Sequence, residues 1–543
     1  MSRLRTRWLG RLAYGEAWDL QRAFWEARTS GRAEDDYLLL LEHPHTYTIG
    51  RNGDGDNLRV PEAALSGLGA ELRYVDRGGD ITYHGPGQLV GYPIMAIPTV
   101  ADGPDVVGHV RRIEALLIAA LGDLGVTAWA EPGYTGVWTS LGKVAAIGVR
   151  VSQGVSTHGF ALNVDPDLGY FGHIVPCGIG DRPVTSLAEL VAETPSLEVV
   201  VAALLARVPH AFGITDVETQ LGAFPRTRYQ VDDMISAGVF SAERRNEVPV
   251  AIRGVLSGEP ERPEWMRVKA TISTEGYREL KALMRGMELH TVCEEAGCPN
   301  IYECWETGTA TLMLLGDVCT RACSFCDVMT GKPGAVDEDE PRRAAASVER
   351  MGLRHAVLTA VNRDDLDDGG AAIFAATIRE IRERVPDCDV EVLIPDFKGD
   401  EPALEAVMGE KPAVLNHNTE TVLRLQRDIR TAASYGRSLA LLARAKWLNP
   451  AGTVKSGLIV GMGERADEVL GALADLRAVG VDIVTIGQYL RPTPRHRPID
   501  RYVSPEEFAL YRDEGDRLGL PHVEAGPLVR SSYHARDSLA SAQ

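Results

Sequence analysis

The sequence predicts two domains in series. Residues 1–215 read as an α+β domain and residues 261–543 as an α/β domain whose parallel strands form a barrel or partial barrel, with 216–260 as a linker or irregular extension. Three observations carry this expectation. The chain has 543 residues, whereas a single hydrophobic core rarely grows beyond about 250–300. Strand and helix patterns in the first part do not alternate regularly, which points to α+β. In the last part they alternate as βα pairs, which points to a parallel sheet with helical crossovers.

In the first domain, Tyr37–Leu41 running into Glu42 and His43 is a buried strand. Val144–Val151 and His158–Val164 are two more, and helical periodicity spans about 13–28, 105–124 and 193–208. Beyond 215, Gly222, Pro225, Pro249, Gly254, Gly258, Pro260 and Pro263 break every pattern. In the last domain the strands are Ala356–Thr359, Val390–Ile394, Val414–His417, Lys455–Val460 and Ile483–Ile486, with helices near 370–385 and 401–408. No short-period repeat is visible.

A hydrophobic content of 45% with 24% charged residues suits a soluble globular protein. The net charge of -19 argues against a general nucleic-acid binder, which would be basic. Arg3, Arg5, Arg7, Arg11 and Arg22 form either a solvated face or one turned to an acidic partner. Trp8-Leu9-Gly10 meets Arg11 at once, so no apolar signal core forms. No apolar run approaches the ~20 residues of a membrane helix. A cytoplasmic location without a membrane partner is expected. Seven of the eight cysteines fall in the last part, and cysteines clustered in a reducing compartment suggest metal binding or catalysis rather than disulfides.

Cys319, Cys323 and Cys326 have the spacing C-x3-C-x2-C. Three thiolates on a tight loop can hold three irons of a 4Fe–4S cube and leave the fourth iron open to a substrate. Three cysteines suit zinc poorly, because a structural zinc site normally takes four ligands. Fifteen residues upstream, Cys293, Cys298 and Cys304 form C-x4-C-x5-C, which suggests a second cluster. Its fourth ligand is open between a hydroxyl, a histidine such as His290 or His534, and an outside molecule.

The first of these loops resembles that of the radical S-adenosylmethionine superfamily. The second, in Leu289-His-Thr-Val-Cys-Glu-Glu-Ala-Gly-Cys-Pro-Asn300, is similar to lipoyl synthases. So are Thr330–Pro333, Arg363–Leu366, Leu393–Phe397, Asn416–Val422, Gln488–Pro492 and Arg530–His534, and the likeness covers roughly 261–543. It implies that an electron from a donor such as flavodoxin or ferredoxin reaches the Cys319/Cys323/Cys326 cluster. S-adenosylmethionine is then cleaved to a 5′-deoxyadenosyl radical, which takes hydrogen from C6 and C8 of a protein-bound octanoyl chain. The Cys293/Cys298/Cys304 cluster gives up the sulfur, with Ser532 as its fourth ligand and Ser531 as second choice. Gly461, in the glycine-rich end of the strand Lys455–Val460, either approaches the adenosyl group by its backbone or simply makes a βα turn. Asn418 and Glu420, ending another strand on the barrel's catalytic face, either meet S-adenosylmethionine or make loop hydrogen bonds. Gly369-Gly370-Ala371 stands where many relatives have Gly-Gly-Glu, which leaves open what meets the methionine amino group.

Cys177, between Pro176 and Gly178, is the only cysteine of the first domain. A lone intracellular cysteine is usually a buried small hydrophobe. A turn-rich stretch suggests an exposed one instead, and Lys143 is a candidate to activate it as a nucleophile. Arg77-Gly78-Gly79-Asp80-Ile81-Thr82-Tyr83-His84, continuing to Gln88, is a glycine-rich loop able to cradle an acyl chain or phosphopantetheine arm, or a tight hairpin.

These stretches, with Gly142–Gly148, His158–Asn163 and Pro176–Gly178, resemble the octanoyl–acyl-carrier-protein:protein octanoyltransferases, whose fold is that of biotin and lipoate protein ligases. The likeness covers about 10–213. It implies a Cys177 acyl-enzyme, Lys143 as proton shuttle, and an acyl site lined by Arg77–His84, Ala146, Ile147, Gly148, His158, Gly159 and Phe160. The implied partners are acyl carrier protein and the lipoyl domains of 2-oxoacid dehydrogenases and of the glycine cleavage H protein. The joint expectation is a bifunctional enzyme, an octanoyltransferase followed by a lipoyl synthase. The alternatives are a lipoate-ligase-like or inactive acyl-binding domain fused to a metal-binding cysteine scaffold.

Overall fold

The computed structural model describes residues 3–101, 103–176, 182–220, 260–266, 290–291 and 309–542. The chain divides into two compact units, Met1–Val250 and Ala251–Gln543.

In the first unit the elements are β1 (Leu4–Arg11), α1 (Tyr14–Thr29), β2 (Asp36–Glu42), β3 (Thr46–Ile49), β4 (Glu71–Tyr74), β5 (Ile81–His84), β6 (Gln88–Ile94) and α2 (Val106–Asp123). There follow β7 (Trp129–Ala130), β8 (Val137–Thr139), β9 (Gly142–Ser152), β10 (Val155–Asn163), α3 (Leu197–Phe212) and β11 (Val217–Gln220). A mixed sheet has the order β11-β1-β2-β6-β10-β9-β8-β7, and a small one the order β4-β3-β5. Leu38 and Leu40 of β2 join Leu116, Leu117 and Leu121 of α2 and Val200, Leu204 and Val208 of α3 in one core. α1 packs on β6 and β10, and Tyr47, Ile49, Ile81 and Tyr83 form a second core at the small sheet. All seven residues of β2 are buried, which is why it reads as a continuous apolar run rather than an alternating one.

The expected linker begins too early. Val217–Gln220 pairs in parallel with Leu4–Arg7 as an edge strand, while 221–259 lies outside the described residues. N-terminal arginines find carboxylates within the unit, Arg11 pairing with Glu42 at 3.5 Å. Arg3 pairs with Asp216 at 3.0 Å. Arg5 pairs with Asp35 at 2.6 Å and with Glu218 at 3.0 Å.

The second unit contains β12 (His290–Thr291), β13 (Thr309–Leu314), α4 (Glu340–Met351), β14 (His355–Ala360), α5 (Ala371–Arg384), β15 (Asp389–Leu393), α6 (Glu401–Gly409) and β16 (Val414–Asn416). It continues with α7 (Tyr435–Leu448), β17 (Thr453–Val460), α8 (Ala466–Ala478), β18 (Ile483–Gln488), α9 (Pro505–Leu518) and β19 (His522–Gly526). The sheet runs β12 to β19 in chain order. The seven strands from β13 to β19 are parallel, and β12 joins β13 antiparallel. This is a partial TIM barrel. Its helices begin where side chains can satisfy the free amides: Asp400 accepts from Ala403 N, Ser434 from Arg437 N and Ser504 from Glu507 N. No helix among the described residues is long and apolar enough to cross a membrane.

Lys455 of β17 and Glu391 of β15 are both 0% exposed. Lys455 Nζ donates to Glu391 Oε1 at 3.0 Å, and Asn416 Nδ2 donates to the same oxygen at 3.1 Å. Burial alone would raise the Glu391 carboxyl, but Lys455 and His355 outweigh it and hold the group down at about 2. Replacing Lys455 by Met strands a buried carboxylate and is expected to cost about 3–5 kcal/mol. Urea unfolding at neutral pH checks this, and adding Glu391→Gln should recover part of the loss.

Candidate active sites

The first site lies where β9 and β10 meet the loop before β5. The antiparallel register sets Ile147 opposite Phe160, Gly148 opposite Gly159 and Val149 opposite His158. Gly78 N donates to Val149 O at 3.1 Å. A Cβ on Gly148 would lie 2.9 Å from Gly78 O, so the absent side chain is what lets the two backbones approach. Arg77–Gly79, Ala146–Gly148 and His158–Phe160 therefore converge.

Lys143 and Ala146, three apart, would face opposite sides of a regular strand. The register with β8 shifts between the Val137–Ala145 and Trp138–Lys143 pairs. Across this irregularity both residues line one pocket, together with Thr82, Gln88, Asn163 and Pro176. Lys143 is only 8% exposed. Gln88 Nε2 donates to Asn163 Oδ1 at 2.9 Å, and Asn163 Nδ2 donates to Thr185 O at 2.9 Å, which fixes the pocket wall. Pro176 directly precedes Cys177 in the chain; Cys177 itself lies outside the described residues.

The two-residue period of β5 divides the predicted acyl-site run. Thr82 lines the pocket, and His84 Nδ1 is 2.9 Å from Gln88 Oε1. Ile81 and Tyr83 belong to the small-sheet core instead. Tyr83 stacks on Tyr170 at 5.1 Å, and its hydroxyl is 2.7 Å from His45 Nδ1. Asp80 also turns away, accepting from Ile81 N at 2.6 Å and from Asn57 Nδ2. These three shape the loop rather than line the site. Arg77 is anchored to β3, its Nη2 donating to Thr48 O at 2.6 Å.

Beneath the loop, burial and the neighbouring His43 push His84 well below the ordinary imidazole range. Burial pushes His43 down to about 4. Both imidazoles are neutral near pH 7 and serve as hydrogen-bonding groups, His43 Nε2 lying 2.7 Å from Tyr92 OH. His158 adopts a left-handed φ of 58°. It is held there by Gln21 Oε1, which accepts from its N–H at 2.7 Å, and by Asp76 at 2.8 Å from its Nε2. Because the folded His43 resists protonation, the unfolded state binds more protons between its ordinary value of 6.5 and about 4. Stability of the first unit should therefore fall as pH drops through that window. Urea midpoints at pH 7 and pH 5 check it; equal midpoints would contradict it.

The second site is a cavity of about 620 Å³ lined by Cys319, Cys323, Cys326, Asn418, Glu420 and Ser532, among others. It is built on the loops that follow the parallel strands. The cysteine loop is clamped by a charge cluster. Arg321, between two of the cysteines, donates to Asp364 through Nε at 2.7 Å and Nη2 at 2.8 Å, and to Asp396 at 2.6 Å. Arg437 adds a second cation to Asp396 at 3.1 Å. Burial works against the Asp396 carboxylate, but Arg321 prevails and holds it well below the usual range.

The loop fits an iron–sulfur cluster. The amides of Arg321 and Asn362 each point to Cys319 Sγ at 3.4 Å. Burial raises the Cys323 thiol and pushes Cys326 up to about 12, a penalty that coordination to metal removes by stabilising the thiolates. Ser531 and Ser532 line the same cavity, whereas His534 is exposed and stacks on Tyr533 at 3.9 Å. The backbone of His290 pairs with Met313, a cavity residue. Cys293, Cys298 and Cys304 lie outside the described residues.

Asn418 and Glu420 are brought together after β16. Glu420 has φ 62°, and Ile459 N donates to its carbonyl at 2.7 Å. Burial raises its carboxyl against the pull of Arg430 and a hydrogen bond from Asn418. Asn418 Oδ1 is buried with no hydrogen-bond partner among the described residues, an acceptor suited to a ligand's donor. The glycine that makes room beside it is Gly457, where a Cβ would sit 2.7 Å from Asn418 Oδ1. Gly461, expected to approach the adenosyl group, does not line the cavity. Its N–H goes to Glu464 Oε1 at 2.6 Å, and a Cβ there would run into Gln488 and stand 2.7 Å from Arg501 O. Gly369 and Gly370 likewise sit in a turn capped by Asp368, away from the cavity.

Residues 13–208 match the lipoyl protein ligase A/B catalytic domain, and 313–488 match the radical SAM superfamily. A lipoyl synthase of Rubrobacter xylanophilus is 56% identical over 282 residues, covering 52% of this chain and 88% of that protein. The chain belongs to the lipoyl synthase family. The lipoyl synthase of Thermus thermophilus is 54% identical over 297 residues, covering 53% of this chain and 91% of its own. Among solved structures, a putative lipoate protein ligase from T. acidophilum with bound lipoic acid covers 44% of this chain and 95% of its own, at 16% identity and a TM-score of 0.34. The architecture is thus a ligase- or octanoyltransferase-type catalytic domain fused to a lipoyl synthase unit. Lipoyl synthase units use S-adenosylmethionine and two 4Fe–4S clusters, so the chain is an enzyme of transferase and sulfurtransferase type rather than a zinc scaffold. What the sequence left unassigned is the clamp: Arg321, Asp364 and Asp396 all lie inside quoted motifs, but only folding shows them to be one ion-pair cluster.

Proposed function

We propose that the chain carries out two consecutive steps of protein lipoylation. In the first unit, the Cys177 thiolate attacks the thioester carbonyl of octanoyl–acyl carrier protein, and Lys143 gives a proton to the departing pantetheine thiolate. The amine of a lipoyl-domain lysine then displaces Cys177, Lys143 taking the amine's proton. Arg77–Gly79, Thr82, His84, Ala146–Gly148 and His158–Phe160 form the acyl site. In the lipoyl synthase unit, the Cys319/Cys323/Cys326 loop holds one cluster, and Asn418 and Glu420 contact S-adenosylmethionine. Cys293, Cys298 and Cys304 with Ser532 hold the other. S-adenosylmethionine with these clusters supplies hydrogen abstraction and the sulfur inserted at C6 and C8. Fusion raises the concentration of the second unit around the product of the first. The partners are acyl carrier protein, the lipoyl domains of 2-oxoacid dehydrogenases and the glycine cleavage H protein, and a flavodoxin- or ferredoxin-type reductant, all in the cytoplasm.

The observation that carries the first half is the pocket shared by Lys143 and Pro176, because the next residue in the chain is the only cysteine of that unit. Mixing the protein with octanoyl–acyl carrier protein, without ATP or lipoyl domain, tests it. Intact mass should gain one octanoyl group, and Cys177→Ala should gain none. An ATP requirement, or acylation of the alanine variant, would favour a ligase.

A further inference from the structure

Trp138 belongs to none of the motifs, yet it is only 2% exposed. It is the cross-strand partner of Lys143, and the lysine ammonium lies 5.5 Å from the centre of its ring. The Arg182 guanidinium lies 5.5 Å from the same ring and 4.9 Å from that of Tyr134, and the two rings meet edge to face at 5.8 Å. The Trp138 indole N–H has no hydrogen-bond partner among the described residues. What Trp138 presents to the two cations is its ring face. Gly136 provides the path. Its φ is 122°, and a Cβ there would stand 2.5 Å from Lys143 Cε and 2.6 Å from Ala145 O.

We propose that Trp138 is a positioning residue for octanoyl transfer. Its ring face, braced by Tyr134 and Arg182, fixes the Lys143 ammonium at the pocket, and Gly136 leaves room for the lysine shaft. This rests on Lys143 acting as the proton shuttle. An aromatic face attracts a cation without supplying a carboxylate that would compete for its proton. Attraction of this kind sets the population of the placed conformer by roughly 3- to 30-fold.

The test uses the full-length protein, octanoyl–acyl carrier protein and a lipoyl domain. Trp138→Phe keeps a ring face and should hold kcat within about twofold, whereas Trp138→Leu and Trp138→Met should lower kcat roughly 3- to 30-fold with KM for both substrates unchanged. Global 5-fluorotryptophan labelling, which weakens the ring's attraction for cations, should lower kcat of the native chain and leave Trp138→Phe unaffected. The labelling also covers the case in which the aliphatic variants do not fold. The proposal is overturned if the aliphatic variants keep full kcat, if Trp138→Phe falls as far as they do, or if labelling affects both chains alike. If Lys143→Ala itself transfers at the normal rate, the proton-shuttle reading has failed and this proposal falls with it.

Discussion

Arg321→Met is expected to destabilise the second unit by about 3–5 kcal/mol and to cost the protein the cluster proposed at Cys319, Cys323 and Cys326. The side chain of Arg321 is 4% exposed, and that of its partner Asp396 is 0%. Removing the guanidinium leaves the buried Asp396 with Arg437 at 3.1 Å and the Lys398 amide at 3.1 Å. The other half of the effect is geometric. Arg321 pins the cysteine loop to Asp364, where Thr320 Oγ1 accepts from Asp364 N at 3.0 Å and donates to Asn362 O at 2.9 Å. Asn362 in turn aims its amide at Cys319 Sγ. Without the two-pronged clamp the sulfurs lose their fixed spacing. Arg321→Lys keeps a charge but cannot bridge two carboxylates in the same way, so only partial recovery is expected. Urea unfolding and the brown iron–sulfur absorbance after anaerobic reconstitution measure the two effects. Full stability with full absorbance in the methionine variant would contradict the account.

Lys143→Ala should slow octanoyl transfer by about 10²–10⁴-fold, the range a single positioned proton carrier contributes. It should leave sulfur insertion into an already octanoylated lipoyl domain intact. Lys143 is the cation lining the small pocket with Pro176, and the register shift between β8 and β9 is what turns it there. Rates of octanoyl transfer and of sulfur insertion, measured separately on one preparation, separate this outcome from general unfolding. Comparable loss in both rates would mean that the substitution damages the whole chain.

Much of the fold was legible because local patterns and final burial agree. The apolar run at 37–41 is a strand buried on both faces, and the βα rhythm after 355 is the barrel. What failed to show was set by non-local pairing. Val217–Gln220 carries no strand-like apolar run, and its partner β1 lies more than two hundred residues away. β19, His522–Gly526, mixes a histidine and a glutamate into a strand that only its pairing with β18 defines. In the sites, cysteine spacing and glycine-rich loops were readable because chemistry fixes residue types. The direction of each side chain was not: Tyr83 and His84 are neighbours in one motif and face opposite sides of β5. Gly461 looked like the close-approach glycine, but Glu464 takes its amide and Gly457 holds the place beside Asn418.

The central claim is that one chain performs two ordered modifications on one lysine. The most direct measurement is an anaerobic time course of intact lipoyl-domain mass, with the protein, octanoyl–acyl carrier protein, S-adenosylmethionine and a reductant. The account predicts an octanoylated species first, then its conversion to the lipoylated form. Cys177→Ala should block both steps, and Cys319→Ala should stop the series at octanoyl. A lipoyl domain that stays unmodified, or that reaches octanoyl with the native chain fully reconstituted and goes no further, would contradict it.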